Sequence, residues 1–234
     1  MNVLNTLNFP KAVHDLVPNM LNGLWVVFEV TIFAFLIALI IGILIAMGRL
    51  SKFKWLRFVL VVLLELIRGT PLLVQLIFIY YVVPLLIMIA VQFFIPEFRM
   101  EFNPVLAGII GLALNYSVYL SEVVRAGVLS IDQGQKEAAL SLGFTTRQAY
   151  YQVVLPQALR AAIPVFGNYL VMMIKDTSLL SLITVSEITL RAETYASQSF
   201  LTIESYSILA LTYFIISFPL AKLVRIIEKR MSFE

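Results

Sequence analysis

Glu122 and Arg125 stand three residues apart inside an apolar run, and the same Glu-x-x-Arg spacing recurs at Glu65 and Arg68. On a helix this spacing places the two side chains one turn apart, where opposite charges pair. Ionisable groups inside membrane segments are costly and require a partner or a function, so both couples read as structural ion pairs. Lys175 and Asp176 pose a harder problem, because adjacent residues on a helix do not face one another. Their charges need separate partners in a locking network, a water-filled cavity, or a bound zwitterion. Gly108, Gly111, Asn115, Tyr119 and Glu122 recur every three or four residues and trace one helical face. An amide and a phenol on that face suit either a polar passage or a contact between helices.

Other chemistries find no support. The chain has no cysteine, which excludes disulfides, thiolate metal sites and cysteine nucleophiles. His14 is its one histidine, no HExxH pattern occurs, and a metal site is not expected. No G-x-x-x-x-G-K-[ST] phosphate loop is present, so any ATP must be hydrolysed elsewhere.

The elements that position these residues follow from composition. Of 234 residues, 61% are hydrophobic and 13% charged, and the mean hydropathy is +0.94. A soluble domain is about a quarter charged, so this is the composition of a membrane protein. No polar stretch is long enough to bury a core of its own, and the chain reads as a single transmembrane domain. A membrane helix needs roughly 20 mainly apolar residues. Five spans are expected: Leu24–Met47, Thr70–Phe94, Val105–Val124, Ala161–Leu182 and Tyr206–Leu223. Ahead of the second, the apolar "FVLVVLLELI" is too short to cross and reads as an interfacial or strongly tilted lead-in, broken at "RGTP"; one long tilted helix through both is the alternative. The N-terminus lacks the pattern of a cleaved signal peptide.

Lys and Arg set the orientation. Arg49, Lys52, Lys54 and Arg57 fill the first connection without an acid. Arg125, Lys136, Arg147 and Arg160 lie in or beside the third, and Lys222, Arg225, Lys229 and Arg230 in the tail. These segments are expected in the cytoplasm and the N-terminus outside. The long third connection reads as structured. "KEAALSL" is a strong helix former, Gly143 suits a left-handed stop, and Thr145 with Gln148 forms a capping-box pattern for a second short helix. Pro156 marks a break before the next span, although Pro also suits a first helical turn.

"EAALSLGFTTRQAYYQVVLP" (137–156) also fits a recognisable pattern: EAA, three residues, Gly, nine residues, an aliphatic, any residue, Leu-Pro. Glu137, Ala138, Ala139, Gly143, Val153, Leu155 and Pro156 occupy its fixed positions. The segment resembles the cytoplasmic signature of permease subunits of binding-protein-dependent ABC importers. "ELIRGTPLLVQL" (65–76), "SEVVRAGVLSIDQGQKEAA" (121–139), "LPQALRAAIP" (155–164) and "KDTSLLSLI" (175–183) look like the histidine, glutamine and arginine type of polar amino acid permease. Ala126 departs from that branch, which more often carries Gly there. The likeness runs from about Gly23 to the C-terminus.

The resemblance implies an all-α integral membrane protein of type I ABC importer architecture, with about five transmembrane helices and a short cytoplasmic coupling helix. The permease core would cover about 23–230 and the coupling segment about 135–156. The chain would pair with an identical or similar permease above two ATPase subunits, which would hold ATP and Mg; this chain itself would bind no cofactor. An extracytoplasmic binding protein would deliver a polar amino acid, and no nucleic acid is involved. Glu137, Ala138, Ala139 and Gly143 would form the ATPase-coupling element, the alanines permitting close approach of two backbones. An amino acid carries both an ammonium and a carboxylate, so Asn115, Tyr119, Lys175 and Asp176 are candidates for its passage. The alternative is a self-contained ion-coupled transporter using Lys175, Asp176 and Glu122 as a relay. The odd number of spans and the absence of an evident inverted repeat weigh against it.

Overall fold

The computed structural model describes residues 7–231, and among these every regular element is helical. Eight helices follow one another: α1 (Phe9–Leu50), α2 (Lys54–Arg68), α3 (Leu72–Gln92), α4 (Pro104–Leu129), α5 (Gln133–Ser141), α6 (Thr146–Ile183), α7 (Ile188–Ser199) and α8 (Thr202–Met231). Five of them, α1, α3, α4, α6 and α8, are long and apolar enough to cross a membrane. These are the five expected spans; four run past the expected bounds, and α3 lies within Thr70–Phe94. The lead-in is a separate helix, α2, and it stops at Arg68; Pro71, in extended conformation, opens α3.

Two helices run on beyond the ends expected from sequence. The helix that holds the Leu24–Met47 span begins at Phe9 and is 42 residues long, about 63 Å against a hydrocarbon core of about 30 Å. Its polar first turns are helical because one face is covered: Ala12, Leu16, Met20 and Val27 recur at helical spacing and are buried. Pro156 does not break the chain, since α6 runs through it. A π-turn at Tyr150–Val154 precedes it, and a second π-turn at Phe78–Val82 stands in the same relation to Pro84. Each proline lies two residues beyond the wide turn. It has no N–H to offer the carbonyl four residues back, and the π-turn accommodates that lost bond without ending the helix.

The residues pack as two units. Of the described residues, one takes 7–35, 70–113 and 172–219; the other takes 36–69, 114–171 and 220–231. In the first, α7 fills what looks in sequence like a mere connection. Tyr195 Oη donates to Asp15 Oδ2 at 3.3 Å, and Glu204, itself buried, accepts the Asn8 N–H at 2.6 Å. In the second, α5 and the start of α6 form a compact pair. The most buried of the five long helices is α4; α3 and α8 have few buried residues.

Candidate functional site

Glu122, on α4, accepts from three arginines. Arg49 at the end of α1 and Arg68 at the end of α2 both reach Oε1, the latter at 3.0 Å, and Arg125 Nε reaches Oε2 at 2.9 Å. Glu65 stands 3.9 Å from Arg68, and its side chain is 69% exposed. One carboxylate therefore ties together three helices of the second unit. Each guanidinium presents a planar fork of donors and the carboxylate four lone-pair directions, so one acid can serve several arginines. Sequence spacing could find Arg125 but not Arg49, which lies 73 positions away.

The EAA segment builds the expected turn. Asp132 caps α5 by accepting the Gly134 N–H at 2.7 Å, Gly143 takes φ +87°, and Thr145 with Gln148 forms a reciprocal capping box at the start of α6. A residue with a Cβ is strained at that φ. Lys136 Nζ lies 5.9 Å from the Tyr150 ring centre, a cation–π contact between the two helices. The segment's alanines divide. Ala139 is only 3% exposed and its carbonyl accepts the Phe144 N–H, so it belongs to the inside of the pair. Glu137 and Ala138 are exposed, as are Leu140 and Leu142, the latter 79% exposed.

The polar residues proposed for a passage fall in both units. Asn115 is buried on α4 and has a partner; Tyr119, half-buried, stacks on Tyr169 at 6.0 Å, and Tyr116 meets the same ring edge-on at 6.2 Å. These belong to the second unit. Lys175, exposed, and Asp176, half-buried and partnered, belong to the first. They end the α-helical part of α6, which tightens into a 3₁₀ turn at Thr177–Ile183 and closes on Thr184 in the left-handed conformation. Gly108 and Gly111, on the same face of α4 as Asn115, serve packing. A Cβ there would lie 3.0 Å from Leu180 Cδ2 and 2.6 Å from Leu76 Cδ2 respectively.

A buried carboxyl that sequence reasoning did not single out is Glu187. It is fully buried and caps α7, accepting the Thr189 and Leu190 N–H groups at 2.8 and 2.9 Å and the Tyr213 hydroxyl at 3.1 Å. Burial pushes its pKa up, and those hydrogen bonds pull the other way. Among the described residues no cluster of His, Cys, Asp and Glu could hold a metal ion.

Five apolar spans and a built helix–Gly–helix element define a multi-pass membrane protein. The profile of the binding-protein-dependent transport system inner membrane component matches residues 38–233, and the chain belongs to that family. It is 35% identical to the L-cystine transport system permease protein TcyB of Bacillus subtilis, over 92% of this chain and 87% of that one. It is 32% identical to the glutamine transport system permease protein GlnP of Escherichia coli, over 94% and 96%. A crystal structure of an amino acid ABC transporter with histidines superposes with a TM-score of 0.83 at 33% identity, over 96% of this chain and 99% of that one. Membership makes the chain a transporter subunit rather than an enzyme, and sets aside the self-contained ion-coupled alternative.

Proposed function

We propose that this chain forms half of the passage through which a polar amino acid is imported, and that α5 receives the stroke of an ATPase subunit. The observation that carries the reading is the open face of α5. Glu137, Ala138 and Leu142 are exposed on a doubly capped helix pair that leads directly into the span α6. A short helix with a small residue and a charge outward fits a cleft in a soluble partner, and the unbroken α6 carries its displacement into the membrane. In this reading α5 and the tail face the cytoplasm and the N-terminus lies outside. Two ATPase subunits hold ATP and Mg, a second permease, identical or similar, completes the passage, and an extracytoplasmic binding protein loads it.

The relatives named for L-cystine and glutamine support an amino acid as substrate. Within the passage Asn115 supplies an amide, Tyr119 a phenol, and Lys175 and Asp176 a charge each. Fixed polar groups of this kind offset part of the hydration that a zwitterion loses on entering. Uptake of a set of labelled amino acids, measured in proteoliposomes with the ATPase and binding protein present, tests the reading. Uptake that needs ATP inside and the binding protein outside is expected; uptake driven by an ion gradient without ATP would overturn it.

A further inference from the structure

Beside the Glu122 cluster, a cavity of about 400 Å³ is lined by Arg49, Lys54, Arg57, Phe58, Val61 and Arg125. Four cationic side chains meet there, and Glu122 is the carboxylate that two of them, Arg49 and Arg125, already share. Lys54 and Arg57 are exposed and have no acidic partner within salt-bridge distance among the described residues. The cavity therefore keeps an excess of positive charge beside two apolar side chains, Phe58 and Val61.

The helix that provides most of it carries the marks of the membrane surface. At 15 residues α2 is about 22 Å long, too short to cross. Leu64 is its buried residue, while Trp55, Phe58, Val62 and Leu66 are exposed. Trp55 and Phe58 stack at 5.9 Å at the end of the helix where the cations sit. Exposed aromatic and aliphatic groups beside Lys and Arg characterise helices that lie in the lipid interface.

We infer that this cavity binds the headgroup of an anionic phospholipid, with the phosphodiester held by Arg57, Lys54 and the free donors of Arg49 and Arg125, and the start of an acyl chain against Phe58 and Val61. Guanidinium groups bind phosphate oxygens through paired donors, and an ammonium adds a point charge. A soluble phosphate would satisfy the cations but leave Phe58 and Val61 without an occupant. The lipid accounts for both the charged and the apolar lining. Because Arg49 and Arg125 also hold Glu122, the lipid would sit directly on the junction of α1, α2 and α4.

The chain's two tryptophans, Trp25 and Trp55, make the test direct. In the full chain carrying Trp25→Phe, Trp55 alone reports, and nanodiscs of phosphatidylcholine are doped with brominated phosphatidylglycerol or, separately, brominated phosphatidylcholine. Brominated phosphatidylglycerol is expected to quench Trp55 at clearly lower mole fraction. The preference should fall about five-fold for each basic group lost in Lys54→Ala and Arg57→Ala, and Lys54→Arg should keep it. Both side chains are exposed, so the fold should survive their loss. Coincident quenching curves for the two lipids, or an undiminished preference in the double alanine variant, would overturn the proposal. So would loss of the preference in millimolar inorganic phosphate, which would mark a site for free phosphate.

Discussion

Arg68 Nη2 lies 3.0 Å from Glu122 Oε1, whereas its Nη1 lies 3.9 Å from Glu65 Oε1, one turn back on its own helix. The more distant residue in sequence is the nearer in space. Glu122 is about a quarter exposed and Glu65 about two-thirds, so water screens the local pair far more than the tertiary one. The Glu122 cluster is accordingly the joint of its unit, and Glu65 a surface acid.

Glu122→Gln should therefore lower thermal stability markedly, since it leaves Arg49, Arg68 and Arg125 facing one another. A loss on the order of 2 kcal/mol is expected, below that of a fully buried pair because the site is partly wet. Glu65→Gln should change stability by about 0.5 kcal/mol or less. A double-mutant cycle with Arg68→Ala, read by melting in detergent, checks the assignment. Stronger coupling of Arg68 to Glu65 than to Glu122 would contradict it.

Ala138→Trp and Ala139→Trp should fail differently. Ala138 is exposed, so its replacement should leave membrane yield and melting unchanged while abolishing substrate-stimulated ATP hydrolysis. Ala139 is buried in the helix pair, and overpacking it should cost about 1–3 kcal/mol and lower the yield of folded protein. Normal stimulated hydrolysis in Ala138→Trp would remove α5 from the coupling role.

The proposed orientation can be read with single cysteines, because the native chain has none. A cysteine at Lys52, exposed between α1 and α2, should be protected from an impermeant thiol reagent in right-side-out cells. One at Ser197, exposed on α7, should react. The opposite pattern would invert the topology and place α5 outside.

If Asn115, Tyr119, Lys175 and Asp176 line the passage, Asn115→Ala, Tyr119→Phe and Asp176→Asn should depress uptake by tenfold or so while complexes assemble normally, since each removes a polar contact to a desolvated ligand. Reduced assembly with unchanged substrate selectivity would instead mark these residues as locks between helices. Uptake and complex yield measured on the same preparations separate the two.

Glu187 should make stability fall as pH rises. Its folded pKa is raised above the ordinary 4.5, so the folded state binds the proton more tightly than the unfolded state. The contribution is complete below pH 4.5 and is lost as pH climbs through the raised value. Glu187→Gln should abolish this part of the slope, measured as melting temperature against pH. An unchanged slope would show that the carboxyl does not titrate there.

The sequence alone was enough for whatever depends on neighbours within a turn or two. Apolar length marked the five spans, "RGTP" the break ahead of α3, Gly143 the left-handed turn, and Thr145 with Gln148 the cap of α6. These are local properties of backbone freedom, side-chain reach and hydropathy. The tertiary structure decided what depends on proximity between distant segments. It brought Arg49 and Arg68 to Glu122, turned Ala139 inward while leaving Ala138 out, and buried Glu187 against Tyr213. It also carried α6 through Pro156, where local propensity favoured a stop, because a π-turn absorbed the lost hydrogen bond. A charge finds its partner by distance in space, and helix periodicity reports only the face on which that charge begins its search.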